Sequence, residues 1–361
     1  MIDIANEFVA SGYKVSLVTG RLIQRNTTLH KSIKVDRIII YNRENITMRL
    51  ITWFIAVFQI VFKVWFRYKK SYLFIVSNPP MAPLVPLICS NSYSLLIYDV
   101  YIEKPEELPL LSSRSYLVRL WKSAHSKVFA KADNIFSLTE GMAATIEKYS
   151  KDKKCEIVPL WTDNEFLKPR PHDKNPFIVE NNLRNKFIVL YSGSIGANSG
   201  VEYLVDVAAI TKSEKILFVI IGNGSKKQDI KRKVCELSLT NCIILPWQDA
   251  DNLPCSLAAA NLAVVTLSSE SSFDAIPSKL FNYMSIGAPL LCLANPDSDL
   301  GRMVITEGIG KCFLPIMKQE IANYIMYLNK HPDAAKMLGE KSLRCSRKYT
   351  KENAKKFLKI E

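Results

Sequence analysis

The sequence predicts an α/β protein of two domains, each a parallel sheet with helices on both faces. Three observations carry that prediction. Strand-like runs alternate with helical periodicity along the chain. The alternation stops in a proline-rich polar stretch near the middle and then restarts. A chain of 361 residues can also bury two cores of ordinary size. With 48% hydrophobic and 23% charged residues, enough apolar surface is available to offset the entropy of ordering, which excludes a disordered chain.

In the first half, strands are expected at 14–19, 36–41, 72–77, 94–100 and 134–138, with helices at 46–69, 114–131 and 141–149. Residues 159–186 hold Pro159, Pro169, Pro171 and Pro176 among polar residues, the composition of a linker. In the second half, strands are expected at 187–193, 216–222, 242–247, 262–267 and 289–293, with helices near 200–211, 225–238, 250–260 and 278–286. The expected organisation is a first domain over 1–165, a linker over 166–186 and a second domain over 187–361. Two such Rossmann-like domains would face each other across a cleft, with ligands outside the carboxyl ends of their strands.

Composition removes several function classes. The eight cysteines have no paired spacing suited to zinc or redox chemistry, and they read as reduced cytoplasmic thiols. His30, His125, His172 and His331 are equally scattered, so no metal site is expected. The net charge of +14 is uneven: residues 14–70 hold twelve Lys or Arg against Asp36 and Glu44. No nucleic-acid-binding signature accompanies that excess, which leaves a solvated face, phosphate or anionic lipid as its reading, and no nucleic acid.

Residues 49–70 read "RLITWFIAVFQIVFKVWFRYKK". The uncharged run from Leu50 to Phe62 is too short to span about 30 Å of hydrocarbon. On a helix, Arg49, Thr52, Ala56, Gln59, Lys63, Arg67 and Lys70 form one narrow polar stripe, and Trp53, Phe54, Phe58, Phe62, Trp65 and Phe66 lie on a broad apolar face. Such a cation-flanked aromatic helix suits the membrane interface. The alternative is a helix whose apolar face covers a sheet within the domain; the number of large aromatics around its girth favours the interface.

Two glycine loops follow strands of the second half. "YSGSIGANSGVEYL" places Gly193, Ser194, Gly196 and Gly200 between a strand and a helix, and "IGNGSKK" places Gly222, Asn223 and Gly224 after the next strand. Glycines there let backbone approach an anion at a helix amino end; a tight turn needs them equally. Neither loop ends in the Lys-Ser/Thr of a P-loop, which disfavours ATP hydrolysis. Trp247, in "LPWQD", would border a base or pack the domain.

Taken together, "NEFVASGYKVSLVT", "IVSNPP", "LIYDVY", "ADNIFSLTEGM", "CEIVPLWTD", "SGSIGANSGVEYL", "IGNGS", "AAANLAVVTL" and "PSKLFNYMSIGAP" resemble, in order, the family four retaining glycosyltransferases of the colanic acid, O-antigen and capsule branch. The resemblance implies the GT-B fold, with a second domain that binds a nucleoside diphosphate sugar, UDP-linked, without a metal or a permanent cofactor. It implies a retaining hexosyltransferase acting on a lipid-diphosphate-linked saccharide, cytoplasmic and held peripherally at an anionic membrane surface. Two carboxylates eight positions apart are usual in that family; here those positions hold Asp274, near the donor sugar, and Asn282, at the ribose. Asn282 keeps hydrogen-bonding capacity but loses the charge. Lys279 is expected to neutralise the leaving diphosphate. The cations usual beside Gly193 are replaced by Ala197 and Asn198, with Lys226 or Lys227 as substitutes. Asn78 and Asp99 end first-domain strands and are expected on the acceptor side.

The family begins with a strand and a glycine-rich loop before "MIDIANEFVASGYKV", so the first domain is expected to lack its first strand, leaving neighbouring strand edges unpaired. The competing readings are a truncated or degenerate nucleotide-sugar-binding protein without catalysis, and a GT-B-fold sugar-nucleotide epimerase.

Overall fold

The computed structural model describes residues 1–22, 27–42, 46–102, 116–197, 199–267 and 275–359. The chain divides into two compact units, one of Met1–Pro159 with Glu352–Glu361 and one of Leu160–Lys351.

In the first unit, helix α1 (Ile2–Ala10) precedes β1 (Ser16–Thr19) and β2 (Lys34–Arg37). The long helix α2 (Ile46–Arg67) leads to β3 (Leu73–Val76) and, through a short 3-10 turn at Ala82–Leu87, to β4 (Tyr93–Ile97). Next come α3 (Tyr116–Lys131), β5 (Asn134–Ser137), α4 (Glu140–Glu147) and β6 (Cys155–Ile157). The strands form two parallel sheets, β1-β2 and β3-β4-β5-β6. Among the described residues, β1 and β3 each end a sheet with one side unpaired by any strand. β4 is buried along its length, as a strand covered on both faces must be, and it packs with Val128 and Phe129 of α3 and Ile146 of α4.

Two expectations need correction here. The second strand ends at Arg37 rather than running to 41, because the backbone N–H of Ile39 is taken by Gln59 Oε1 of α2 at 2.7 Å and leaves the ladder. The last residues belong to the first unit instead of the second: Phe357 packs edge-on against Phe74 and Phe136, at ring separations of 5.7 and 4.9 Å.

Helix α2 turns most of its expected aromatic face outward, with Trp53 as the exception. Thr52, Trp53, Ala56, Val61 and Val64 are buried, whereas Phe54, Phe58, Phe62, Trp65 and Phe66 are exposed. Much of the polar stripe turns inward. Thr52 accepts from the backbone N–H of Asn42, Gln59 accepts from that of Ile39, and Arg67 pairs with the buried Asp36 at 3.3 Å. Tyr68 also donates to Asp36, at 2.5 Å, and that bond leads the lowering of the carboxyl pKa. At 22 residues, about 33 Å, the helix is long and apolar enough to cross a membrane by length and composition. The shortness read from its uncharged run therefore does not hold for the helix as a whole.

The second unit is one six-stranded parallel sheet of order β12-β11-β10-β7-β8-β9. Its strands are β7 (Phe187–Ser194), β8 (Ile216–Asn223), β9 (Cys242–Leu245), β10 (Leu262–Thr266), β11 (Leu290–Leu293) and β12 (Gly310–Phe313). Residues alternate strictly between two cores: Ile188 and Leu190 of β7 join Leu217, Val219 and Ile221 of β8 on one face, and Val189, Tyr191, Phe218 and Ile220 join on the other. The proline-rich stretch is no free linker. It carries α5 (Pro176–Glu180), and Leu167, Phe177, Ile178 and Leu183 are buried in the first of these cores. The covering helices are α6 (Val201–Ile210), α7 (Lys227–Glu236), α8 (Leu253–Leu257), α9 (Lys279–Ser285), α10 (Asp299–Thr306), α11 (Lys318–Lys330) and α12 (Pro332–Ser346).

Candidate functional site

The strand order places β7 between β8 and β10, so the chain winds outward in opposite directions from that pair. A crevice at the carboxyl ends of such a switch point is where doubly wound sheets bind ligands. β7 ends there at Ser194, one residue past Gly193, and β10 ends beside it at Thr266. The two are tied together by the Thr266 hydroxyl, which donates to the carbonyl of Ser199.

Lys279 opens α9 and reaches back into this corner. Its Nζ lies 3.8 Å from the centroid of the Tyr191 ring, a cation–π contact. A side chain at Gly193 would meet the same Nζ at 2.6 Å, so the glycine leaves room for the amine. Part of the lysine remains accessible, but its amine end is enclosed, and burial lowers its pKa to about 7. The Tyr191 hydroxyl donates to the carbonyl of Ser194 at 2.7 Å, which fixes the ring beneath the amine and shapes the loop.

α9 is held against β7 by Tyr283. This side chain is wholly buried, and its hydroxyl accepts from the backbone N–H of Ser192 at 2.7 Å. That bond satisfies the last backbone donor before Gly193 and sets the height of α9, hence of Lys279, over the strand end. One turn on, Asn282 Oδ1 accepts a hydrogen bond from the Thr162 hydroxyl at 2.7 Å. The carbonyl side of the amide is thereby engaged, which leaves Nδ2 as its donor side.

The two glycine loops interlock through backbone. A Cβ on Gly222 would lie 2.0 Å from the Gly193 carbonyl oxygen, and one on Gly224 would lie 2.3 Å from that of Ile195. The Ile195 N–H donates to the Asn223 carbonyl at 2.9 Å, and the Lys226 N–H donates to the Ile195 carbonyl at 3.0 Å. Gly222 and Gly224 are therefore required by packing of one loop on the other, whatever ligand lies beyond them. Asn223 Oδ1 accepts from the Gly224 N–H at 3.0 Å. Ser194 and Asn223 are exposed, and Gly196 carries its own turn, accepting from Ser199. Lys226 sits within 4.0 Å of Asp229 on the first turn of α7.

Residues 173–344 match the family "Glycosyl transferases group 1", which spans most of the second unit. WbjE of Pseudomonas aeruginosa, named as a glycosyltransferase, is 25% identical over 234 residues, covering 63% of this chain and 57% of its own. WcaI of Escherichia coli strain K12, named for glycosyl transfer in colanic acid biosynthesis, is 27% identical over 219 residues, covering 58% and 54%. The chain thus aligns with a little over half the length of these relatives. Among solved structures, sucrose-phosphate synthase of Thermosynechococcus elongatus superposes with a TM-score of 0.75 at 17% identity, covering 98% of this chain and 89% of that one. HepE of Anabaena with UDP and glucose gives 0.71 at 14% identity, covering 98% and 92%. WaaG, a glycosyltransferase of lipopolysaccharide biosynthesis, gives 0.70 at 14% identity, covering 99% and 95%. The fold is GT-B. Over 58% of its length the chain is similar to a glycosyltransferase named for colanic acid biosynthesis.

Within this GT-B chain the structure brings Lys279, Gly193 and the Gly222–Gly224 loop to one end of one sheet, with Asn282 on the same short helix as Lys279. Trp247 is exposed beyond the carboxyl end of β9, the edge strand next to β8. Asp274 lies outside the described residues, as does Asn198. In the first unit, Asn78 and Asp99 are exposed just past the carboxyl ends of β3 and β4; Asn78 precedes a cis proline, and the Asp99 N–H donates to Ser77 Oγ at 3.3 Å. Among the described residues no three His, Cys, Asp or Glu side chains are grouped as a metal site.

Sequence reasoning missed Tyr191, Tyr283 and Thr162. Tyr191 reads as an ordinary strand residue, and Thr162 is 120 positions from its partner. Only Tyr283 carried a signal, a phenol on the apolar face of a helix, where burial demands a partner for the hydroxyl.

Proposed function

We propose that the chain is a retaining glycosyltransferase of family four type, moving a hexose from a UDP-sugar to a lipid-diphosphate-linked saccharide in surface-polysaccharide synthesis. The observation that carries this is the enclosed Lys279 amine beside the Gly193 loop at the switch point. An amine held near neutrality by burial gains most from a dianionic partner, and a diphosphate arriving at Gly193 supplies one. UDP and glucose in HepE, and the roles for which WcaI and WaaG are named, support the donor class and the pathway.

In this reading the donor diphosphate lies over the Gly193 loop. Lys279 neutralises the charge that builds on the leaving phosphate, and the backbone N–H groups of the loop add to it. Asn282 Nδ2 donates to a ribose hydroxyl, Trp247 borders the base, and Asp274 lies near the sugar. The acceptor hydroxyl attacks the face the diphosphate leaves, and a phosphate oxygen takes its proton. Rate comes from positioning and from stabilised diphosphate charge, with no second carboxylate needed as in a glycosidase. Asn78 and Asp99 serve the acceptor side.

The first unit would sit on the cytoplasmic face of the membrane through α2. Its outward Phe54, Phe58, Phe62, Trp65 and Phe66 enter the interface, and the basic excess of residues 14–70 meets anionic headgroups. Because its opposite face is bonded to the unit at Thr52, Gln59 and Arg67, the helix lies flat.

The deciding assay presents membranes bearing lipid-linked acceptor with a panel of radiolabelled UDP-sugars. Label in the lipid fraction that is lost in Lys279→Met is expected. UDP binding without transfer from any donor would favour the binding-protein alternative, consistent with the amide at Asn282.

A further inference from the structure

His125 lies on α3 with its ring between Trp121 and Phe129, at centroid distances of 4.3 and 5.9 Å. It is 4% exposed. Nδ1 is 3.1 Å from the carbonyl of Trp121, and since a carbonyl only accepts, Nδ1 carries the proton. Burial pushes the ring pKa down to about 4, so it is neutral at physiological pH and Nε2 is a bare acceptor. Nε2 has no hydrogen-bond partner among the described residues. It is not one of the fully enclosed unpartnered atoms of those residues, so a little open space lies beside it, where a donor would gain a hydrogen bond.

The ring borders a small cavity of about 10 Å³, room for one water-sized group. Ser77, Ile97 and Asp99 share its wall with His125. Ser77 follows β3 directly and Asp99 lies two residues past β4, so the cavity sits at the carboxyl edge of this sheet, the edge at which doubly wound domains take ligands. Asp99 is exposed as well as part of the wall, which brings the cavity to the surface. Ser77 Oγ accepts from the backbone N–H groups of Tyr98 and Asp99, at 2.9 and 3.3 Å, and so fixes the rim.

We propose that this cavity binds one hydroxyl of the saccharide acceptor, which donates its hydrogen bond to His125 Nε2. The proposal rests on the glycosyltransferase reading for the nature of the ligand. It adds a specificity-determining residue in the first unit, selecting acceptors with a free hydroxyl at the position that enters the cavity.

The test is nitrogen-detected NMR of the full chain with ¹⁵N-labelled histidine, titrated with the methyl glycosides of glucose, galactose and mannose. The expected result is an Nε2 resonance of an unprotonated ring that moves with at least one glycoside, with Nδ1 unchanged. An Nε2 resonance that none of the three glycosides moves reports a resident water only, and overturns the proposal. UDP is titrated separately by calorimetry: failure to bind sinks the donor reading and leaves the His125 result to stand or fall alone. In a transfer assay His125→Phe, which keeps the aromatic packing, should raise the acceptor KM about two- to tenfold with the donor KM unchanged. Equal rises in both would assign His125 to structure.

Discussion

The Lys279 ammonium lies 3.8 Å above the ring of Tyr191, in space that Gly193 leaves open. A cation so placed is held by the aromatic face but poorly solvated, and in the proposed reading it exchanges that partner for a phosphate. Lys279→Met should lower UDP affinity about 10- to 100-fold, the loss of one charge-assisted contact. It should leave thermal stability equal or higher, because a desolvated charge is replaced by an apolar chain. Calorimetric titration and a melting curve on the same variant check both; a stable variant with unchanged UDP affinity removes Lys279 from the site.

The lowered pKa of Lys279 makes pH a second probe. In the folded protein the amine loses its proton near pH 7, whereas unfolded it holds it up to about 10.5. Between those values the unfolded state binds more protons, so this group's contribution to stability rises with pH across the window and is flat below it. A bound diphosphate favours the charged amine and raises its pKa. UDP binding at pH 8 should therefore take up a proton, and affinity should fall as pH rises above 7. Titrations in buffers of different ionisation enthalpy measure the uptake, and its absence at pH 8 in the wild type contradicts the contact.

The interlocked glycine loops predict unequal costs for similar changes. Gly222→Ala puts a methyl 2.0 Å from a backbone oxygen that no rotamer can move, whereas Gly196→Ala meets only Ser194 Oγ at 3.6 Å. Gly222→Ala should cost about 3 kcal/mol, the upper end for overpacking, and Gly196→Ala less than about 1. Denaturant unfolding of the two variants gives the comparison directly.

How far these relationships were legible in the sequence follows from their range. Alternating apolar runs located β7, β8, β10 and α9, because period and length are local properties. β6, of three residues, and β12, whose Gly-Lys-Cys-Phe makes no apolar run, lay below that signal. The proline-rich stretch read as a linker because its polar residues outnumber Leu167, Phe177, Ile178 and Leu183, whose burial depends on a core that the rest of the unit supplies. The inward bonding of the polar stripe of helix α2 was hidden for the same reason. Which face of an amphipathic helix turns inward was decided by Asp36 and the backbone of Ile39 and Asn42, distant groups that match its polar stripe. Within the site, Lys279 and Asn282 were marked by being polar where packing asks for nothing polar, while Tyr191 and Thr162 carried no such mark.

The bond from Thr162 to Asn282 gives a prediction about the ribose. With Oδ1 engaged, Nδ2 is the side left for the proposed ribose contact, so Asn282→Ala should weaken UDP about 2- to 10-fold and weaken a dideoxyribose analogue much less. Thr162→Val frees the amide to turn and should have a smaller effect in the same direction. If Asn282→Ala weakens UDP and the dideoxyribose analogue equally, the amide does not read the ribose.

The outward aromatics of α2 predict a separation of binding from folding. Phe58 and Phe66 are 72% and 70% exposed, so a combined Phe58→Glu and Phe66→Glu variant loses no core contact and should fold as the wild type does. Its apolar entry into the interface is reduced and two negative charges face the headgroups, so both contributions to lipid binding fall together. Sedimentation with vesicles containing anionic phosphatidylglycerol should show at least a tenfold loss of binding, equivalent to about 1.4 kcal/mol. Trp53→Glu is the contrast: Trp53 is 7% exposed and stacks on Tyr41 at 5.8 Å, so a buried charge there should unfold the first unit. Sedimentation of the double variant equal to the wild type, with its melting curve unchanged, would remove the membrane from the account of this helix and leave its aromatic face to another partner.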